Sequence, residues 1–371
     1  MKKHAIIPIF IPHEGCPHDC IFCNQRAITA HTHAPSAAEV TATVDTWLTT
    51  LADVETVEVA FYGGSFTAIP LEEQNLYLSL ASAYKSRGLI DRIHLSTRPD
   101  AISRPILDNL KAFGVDTIEL GVQSFDPHVL ALSARGHDTA CIYESSKLIQ
   151  SYGFELGIQL MIGLPGDSRE SCLFSARETV RLAPSIARLY PTVVIQGTAL
   201  YEQYRRGDYV PLSEDEAILR TKEMYQILTA AGINVIRIGL KSSDIMTEGA
   251  GAAAGTFHPA FRQLVEGQIA RESLEGQLEE LLAVRSAAQP AAVPTIAAAS
   301  QSPACDPQAA ATASQSPAGR AAVTFACHPR SFSNMIGNGA RNRTYFQSRY
   351  PDLDFRFQVD ASLEPGIYTV R

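Results

Sequence analysis

Residues 15–25, Gly15-Cys16-Pro17-His18-Asp19-Cys20-Ile21-Phe22-Cys23-Asn24-Gln25, place three cysteines at CxxxCxxC spacing directly after an apolar run. Three thiolates this close can hold three irons of a cubane iron–sulfur cluster and leave the fourth iron without a protein ligand, open to a substrate. Two other readings suit the spacing taken alone. Cys16, Cys20 and Cys23 with His13 or His18 make a structural zinc set, and Cys20 with Cys23 makes a CxxC redox pair.

Working outward, the run before the cysteines, AIIPIFIP at 5–12, reads as the first of six short strands. The others are TVEVAFYGG at 56–64, RIHLSTRPD at 92–100, TIELGVQS at 117–124, ELGIQLMIGLPG at 155–166 and ARLYPTVVI at 187–195. Between them lie stretches with apolar residues at three- and four-residue spacing, several ending in glycine as helices often do. Six βα units in series imply a parallel sheet with right-handed crossovers. Polar or glycine residues gather at the C-terminal end of nearly every run: the cysteines, GGSF, STRPD, Gln123 with Ser124, GLPGD and QGT. Active sites of parallel α/β folds form at those ends, and so many converging groups favour a barrel or barrel segment. A seventh unit has a helix from Leu212, with Ser213 and Glu216 spaced as a capping box. It leads into INVIRIGLKSSD at 233–244, which extends or closes the sheet edge, and then a Gly/Ala loop and short helix from Ala250.

At 371 residues and 46% hydrophobic, the chain has room for one large domain and a small one. The first apolar run is eight residues with two prolines, too short to span a bilayer. Cysteines follow it at once, so it also fails as a signal peptide despite Lys2 and Lys3. A cytoplasmic protein without a membrane partner is expected. Of the seven cysteines, Cys141, Cys172, Cys305 and Cys327 are scattered, which does not resemble a disulfide framework and suits reduced thiols. Cys141 and Cys172 fall in helical patterns and read as small hydrophobes. A net charge of −8 argues against a surface given over to nucleic acid, while leaving room for a local basic patch.

Composition shifts sharply over 286–321 to Ala, Pro, Ser and Gln, with ASQSPA occurring at Ala299 and again at Ala313. Such a segment cannot bury enough apolar surface to offset its ordering entropy and reads as a disordered linker. Beyond it lies a strand, helix, turn, helix, strand candidate with Arg330, Arg341, Arg343 and Arg349 and no acid between Pro329 and Tyr350. The expected organisation is a barrel at 1–245, a connecting helical segment at 246–285, the linker at 286–321 and a small α+β unit at 322–371.

CxxxCxxC with Phe22 before the third cysteine, followed by a strand ending in Gly63 and Gly64, resembles the radical S-adenosylmethionine enzymes. YGGSFT, STRPD, ELGVQSFD, ARGHD and MIGLPGD, in that order at strand ends, are similar to the branch containing the Elongator catalytic subunit and, further off, the oxygen-independent coproporphyrinogen oxidases. The resemblance covers about residues 7–240. It implies a partial (β/α)6-type TIM-like barrel, a 4Fe–4S cluster on Cys16, Cys20 and Cys23, and S-adenosylmethionine chelated at the open iron. An electron from a donor such as flavodoxin or ferredoxin then cleaves the cofactor to a 5′-deoxyadenosyl radical, with the hard chemistry carried by the cofactor. Gly63 and Gly64 would let backbone approach the methionine part. Ser65 stands where many relatives have an acidic residue. Glu119 and Gln123 alternate on one strand face and would aim at the cofactor, Gln123 near the ribose. Arg135, or Arg98, would steady the carboxylate, with a plain salt bridge as the competing reading. Met161, with Gln159, would cover the adenine or line the barrel, Asp167 would cap the next helix, and Tyr190 and Gln196 are weaker substrate-side candidates.

MIGNGARN at 335–342 resembles the turn of a KH module, in which a GxxG loop between helices clamps a nucleic acid backbone. Gly337, Asn338, Gly339 and Arg341 are its candidate RNA contacts, and Asn342 also matches the motif, although Ala340 replaces the last glycine. The function implied is a radical enzyme acting on RNA, with tRNA foremost. Its alternatives are a radical enzyme acting on a small or porphyrin-like metabolite, and a non-catalytic RNA-binding protein that keeps the barrel. No acetyltransferase-like sequence follows in this chain, so the Elongator subunit's overall reaction does not carry over.

Overall fold

In the run from Ala5 to Ile11, alternate residues meet different surroundings. Ile7, Ile9 and Ile11 are buried, while Ile6, Pro8 and Phe10 line an interior cavity, the division a strand of period two makes when it is covered on both faces. The computed structural model describes residues 2–11, 16, 18–24, 33–240, 252–288 and 320–371. The first strand is β1 (Lys2–Ile11), followed by β2 (Val54–Gly63), β3 (Arg92–Thr97), β4 (Thr117–Gln123), β5 (Glu155–Ile162), β6 (Ile186–Pro191), β7 (Val193–Ile195) and β8 (Asn234–Ile238). Seven of these form one sheet in the order β1-β2-β3-β4-β5-β6-β8, every pair parallel. The architecture is a partial, TIM-like α/β barrel, with β8 extending the edge by a seventh strand.

The helices begin where short polar side chains can take the free amides of a first turn. They are α1 (Ala37–Leu48), α2 (Leu71–Ser86), α3 (Arg104–Ala112), α4 (Pro127–Leu132), α5 (Thr139–Ser151), α6 (Arg169–Leu182), α7 (Ala199–Arg206) and α8 (Glu214–Ala230). Ser36 and Glu39 close a capping box on α1, and Ser213 accepts from the Glu216 amide at α8. The α6 cap is Ser168, not Asp167, whose carboxylate instead accepts from the Gly163 amide at 2.7 Å. Two short helices, α4 and α7, escape the periodicity because one or two turns carry too little pattern. Their caps were nevertheless legible: Asp126 with Pro127 at the first helical position for α4, and Thr198 for α7.

Two expectations are corrected. The run at 187–195 is not one strand: it breaks at Thr192, whose amide turns to the Ile162 carbonyl at 2.8 Å. Nor is the Gly/Ala segment wholly a loop, since β9 (Ala252–Gly255) pairs antiparallel with β7. Alanine and glycine have poor strand propensity, and the free edge of β7 supplies what composition does not.

The chain divides into two compact units, residues 1–265 and 266–371. The second begins inside α9 (Phe261–Ala288), so it takes in most of the helix that the sequence reading set apart as a connecting segment. The physical reason is a shared core: Ala270, Leu274 and Leu278 of that helix pack with Val323, Phe325 and Phe346. This unit continues with β10 (Ala321–Cys327), α10 (Phe332–Ile336), α11 (Arg341–Arg349), β11 (Leu353–Val359) and β12 (Tyr368–Val370). Strand β10 is central, parallel to β11 and antiparallel to β12. Residues 289–319, nearly all of the expected linker and Cys305 with it, lie outside the described residues, as does His13. Among the described residues no helix is long and apolar enough to cross a membrane.

Candidate functional site

The cysteine loop sits at the C-terminal ends of the barrel strands, held by backbone contacts from three directions. Ile21 donates its amide to the Ser133 carbonyl at 3.3 Å and accepts from the Leu200 amide at 2.8 Å, and Asn24 Nδ2 donates to the Gln196 carbonyl at 3.3 Å. Gly63 is required where β2 passes the end of β1: its φ is +113°, and a Cβ there would lie 2.4 Å from the Ile11 oxygen. The next amide, Gly64, donates to that same oxygen at 2.8 Å.

Two guanidinium groups converge on the buried Cys20 thiol. Arg135 Nη1 lies 3.1 Å from Cys20 Sγ, and Arg98 Nη1 lies 3.6 Å from it. Arg135 also donates to the Gly121 carbonyl. Arg98 forks onto Asp100, with both bonds at 2.9 Å, and donates to the Arg135 carbonyl. Arg98 thus makes the salt bridge weighed as its competing role and reaches the cysteine as well. Burial pushes the Cys16 thiol up, while Arg98 and Arg135 pull it down and the Ser65 backbone hydrogen bond adds to the pull. The Ser65 hydroxyl is itself committed, 3.0 Å from Thr97 Oγ1 and accepting from the Arg98 amide at 3.1 Å.

The ARGHD string closes over this loop. Gly136 has φ +75°, and a Cβ on it would stand 2.3 Å from the His18 ring, so His18 packs against bare backbone. The other side of His18 faces Asp100 at 3.7 Å, so this histidine serves as a packing element between two strings. His137 is held down to about 4 by burial and by the Arg135 charge.

A cavity of about 730 Å³ runs from this rim into the barrel, within the range of small-molecule and cofactor sites. Gly63, Gln123, Gln159, Met161 and Tyr190 line it together with Cys23. Gly64 and Ser65 line a small neighbouring recess instead. Gln123 has φ +70°, a strained state for a side-chain-bearing residue that persists only where its surroundings impose it. Among the described residues its Oε1 is buried without a hydrogen-bond partner, and so is Arg135 Nε. Buried polar groups are ordinarily satisfied; the orphaned oxygen of Gln123, which lines the cavity, fits a polar ligand held there.

Glu119 lies elsewhere. It is fully buried in a charge network deeper in the barrel, with Arg188 Nε 2.9 Å from its carboxylate, His94 Nε2 at 3.1 Å and Gln159 Nε2 donating to it. His94 also bonds Glu58 through Nδ1, Glu58 meets His4 at 2.9 Å, and Arg188 reaches the Tyr62 hydroxyl. Burial works to raise both carboxyls, yet His4 and His94 bring Glu58 down to about 2, and Arg188 with His94 bring Glu119 to about 2. Burial opposes the charged His94 ring, but the two carboxylates hold it above 6.5. The sequence reading missed this network. Alternation placed Glu119 inward correctly, but its partners come from three other strands.

In the small unit, Gly337 is buried against Asn342. Asn342 Nδ2 donates to the carbonyls of Gly267 and Asn334 at 2.8 and 3.0 Å, so this residue of the KH-like string is a structural tie. Gly339 and Arg341 are exposed and Asn338 is half-buried. Arg343 lies over the Phe357 ring and Arg349 over Tyr350.

Among the described residues no group of three or more Cys, His, Asp or Glu side chains is placed to hold a metal ion. The donor set for a cluster is nonetheless apt: three thiols on one loop, two guanidinium groups on Cys20 and a cavity that Cys23 lines.

Comparison with known proteins agrees with this geometry. Residues 10–177 match the Radical SAM superfamily and residues 184–271 match the Radical_SAM C-terminal domain. The chain belongs to the radical SAM superfamily, whose enzymes use a 4Fe–4S cluster and S-adenosylmethionine. A relative from Methanocaldococcus infernus, a tRNA uridine(34) acetyltransferase, is 28% identical over 254 residues, which is 58% of this chain and 48% of the relative. Elongator complex protein 3 of Dictyostelium discoideum is 27% identical over 186 residues, 45% of this chain and 33% of that one. The chain thus spans about half or less of the length of these curated relatives. The solved structure of the archaeal M. infernus Elp3 with an N-terminal deletion has a TM-score of 0.58 at 19% identity, covering 73% of this chain and 64% of that one; it shares the fold.

Proposed function

We infer that this radical enzyme modifies an RNA, with tRNA the leading substrate class. The observation that carries the reading is the meeting of Arg98 and Arg135 on Cys20, in the loop whose Cys23 lines the barrel cavity, together with the likeness of the chain to a tRNA uridine(34) acetyltransferase. Cys16, Cys20 and Cys23 would hold the cluster. When bound, the cluster and S-adenosylmethionine supply a one-electron cleavage that yields a 5′-deoxyadenosyl radical, fed by a donor such as flavodoxin or ferredoxin.

The chain's own residues bind, orient and exclude water. Arg135 and Arg98 donate to the Cys20 sulfur, and hydrogen bonds to ligating sulfur set the potential of such a centre. Gln123 Oε1 and Arg135 Nε offer a buried acceptor and donor to a polar ligand, and Gly63 keeps that rim open to backbone approach. Met161 and Tyr190 supply apolar wall. Glu119 acts at one remove, by fixing Arg188 and Gln159 in the cavity wall. The exposed turn at Gly339 and Arg341 is a candidate second contact with RNA backbone in the manner of a KH module.

Two measurements test the reading. Modified nucleosides in tRNA from cells with and without the protein are compared by mass spectrometry: one is expected to disappear, and an unchanged profile with a small metabolite accumulating overturns the RNA assignment. For the small unit, Arg341→Ala is expected to weaken RNA binding across sequences and reduce the salt slope by about 1; an unchanged slope removes the KH-like role.

A further inference from the structure

The wall of the barrel cavity contains a charge that no described acidic residue balances. Arg188, Arg237 and Arg262 line the cavity, and among the described residues no Asp or Glu lines it. Arg188 is answered from behind by Glu119 at 2.9 Å, and Arg262 donates to the Val235 carbonyl at 3.0 Å. Arg237 is half-buried, and among the described residues its guanidinium has no hydrogen-bond or ion-pair partner.

Its position is the work of an irregularity in the sheet. Between β6 and β8, Ala187 pairs with Val235, but Arg188 pairs with Arg237, because the register shifts by one residue at Ile236. Irregularities of this kind occur beside active sites, and here Ile236, Arg237 and Ile238 all line the cavity. Two arginines are then paired on neighbouring strands, and like charges opposite each other destabilise a sheet unless something answers them.

We propose that Arg237 is the core of an anion-recognition subsite on the cavity wall, which takes a phosphate or carboxylate group of the substrate. The guanidinium fork binds either group through two hydrogen bonds. Ser96 and Tyr190, which line the same cavity, bring hydroxyls to its wall. The subsite deepens the RNA reading and depends on it only for the choice of phosphate as the source.

The test is calorimetric titration of the full chain, cluster reconstituted, with uridine 5′-monophosphate, uridine and glutarate as probes. Uridine 5′-monophosphate is expected to bind about tenfold or more tightly than uridine, the strength of a charged hydrogen bond, and to weaken with salt. Arg237→Met keeps the apolar stem and is expected to lose that tenfold while leaving uridine unchanged; Arg237→Lys keeps part of it. Because the variant removes a like charge opposite Arg188, its thermal midpoint is expected at or above that of the parent. Binding of glutarate but not of the nucleotide, lost in Arg237→Met, upholds the subsite and overturns RNA phosphate as its source. Equal affinity of parent and Arg237→Met for both anions overturns the subsite itself.

Discussion

The rim of the barrel and its interior are built from the same kinds of residue, and they differ in whether the groups are satisfied. Below, Glu58, His94, Glu119 and Arg188 neutralise one another, and the carboxylates are pulled down to about 2 by their partners. Above, Arg135 is just as buried but among the described residues leaves Nε without a partner, and Gln123 leaves Oε1 without one in a strained backbone state. Charges paired with one another are scaffold, whereas the open oxygen of Gln123 on the cavity wall marks where a ligand fits. The contrast also sorts candidates that sequence alone ranks together: Gln123 and Arg135 belong to the rim, Glu119 to the scaffold.

The comparison can be broken most sharply at Cys20. Cys20→Ala is expected to abolish cluster assembly, read as loss of bound iron and sulfide after anaerobic reconstitution, while the chain remains folded. Cluster retained at parental level would remove Cys20 from the ligand set.

Next comes a paired experiment. Glu119→Gln leaves Arg188 and His94 short of a counter-charge and is expected to cost about 3–5 kcal/mol in denaturant unfolding, with normal iron per folded chain. Arg135→Met is expected to cost the apo chain less, about 1–2 kcal/mol for its lost hydrogen bond to Gly121, yet to impair cluster loading. If the two variants behave alike, the division between scaffold and rim is wrong.

Gly136→Ala forces a Cβ into His18 at a positive φ and is expected to cost about 1–3 kcal/mol. Gly88→Ala is its control, since Gly88 has φ +68° but open space around it; its cost should be smaller, near 1 kcal/mol.

The gentlest test is pH. Glu58 and Glu119 are lowered in the folded chain, so their contribution is present above their ordinary 4.5 and is lost as pH falls toward about 2. His94 is raised, so its contribution is present below its ordinary 6.5 and is lost as pH rises through its folded value. The network therefore stabilises most between pH 4.5 and 6.5. Unfolding curves of the parent should show that plateau, and Glu119→Gln should flatten it.

Much of the fold was legible because it rests on local rules. Six apolar runs with helical stretches between them dictate a parallel α/β sheet, and Ser36, Ser213 and Gly63 announce caps and turns through their own chemistry. The break at Thr192 and strand β9 were not legible, since both depend on a partner far along the chain. At the site, the three cysteines and Arg135 stood out through spacing and resemblance. The partners of Glu119 did not: Arg188 is 69 residues away and shows no periodic or motif signal linking it to that carboxylate.

What the sequence determined by itself is the chemistry on offer: three thiols in one short loop, glycines at strand ends and an inward-facing carboxylate, all fixed by residue type and by periods of two and 3.6. Only the tertiary structure decided which of those groups are spent on one another and which stay open. Pairing energy depends on distance across strands, and a one-residue register shift between β6 and β8 is enough to set Arg237 opposite Arg188.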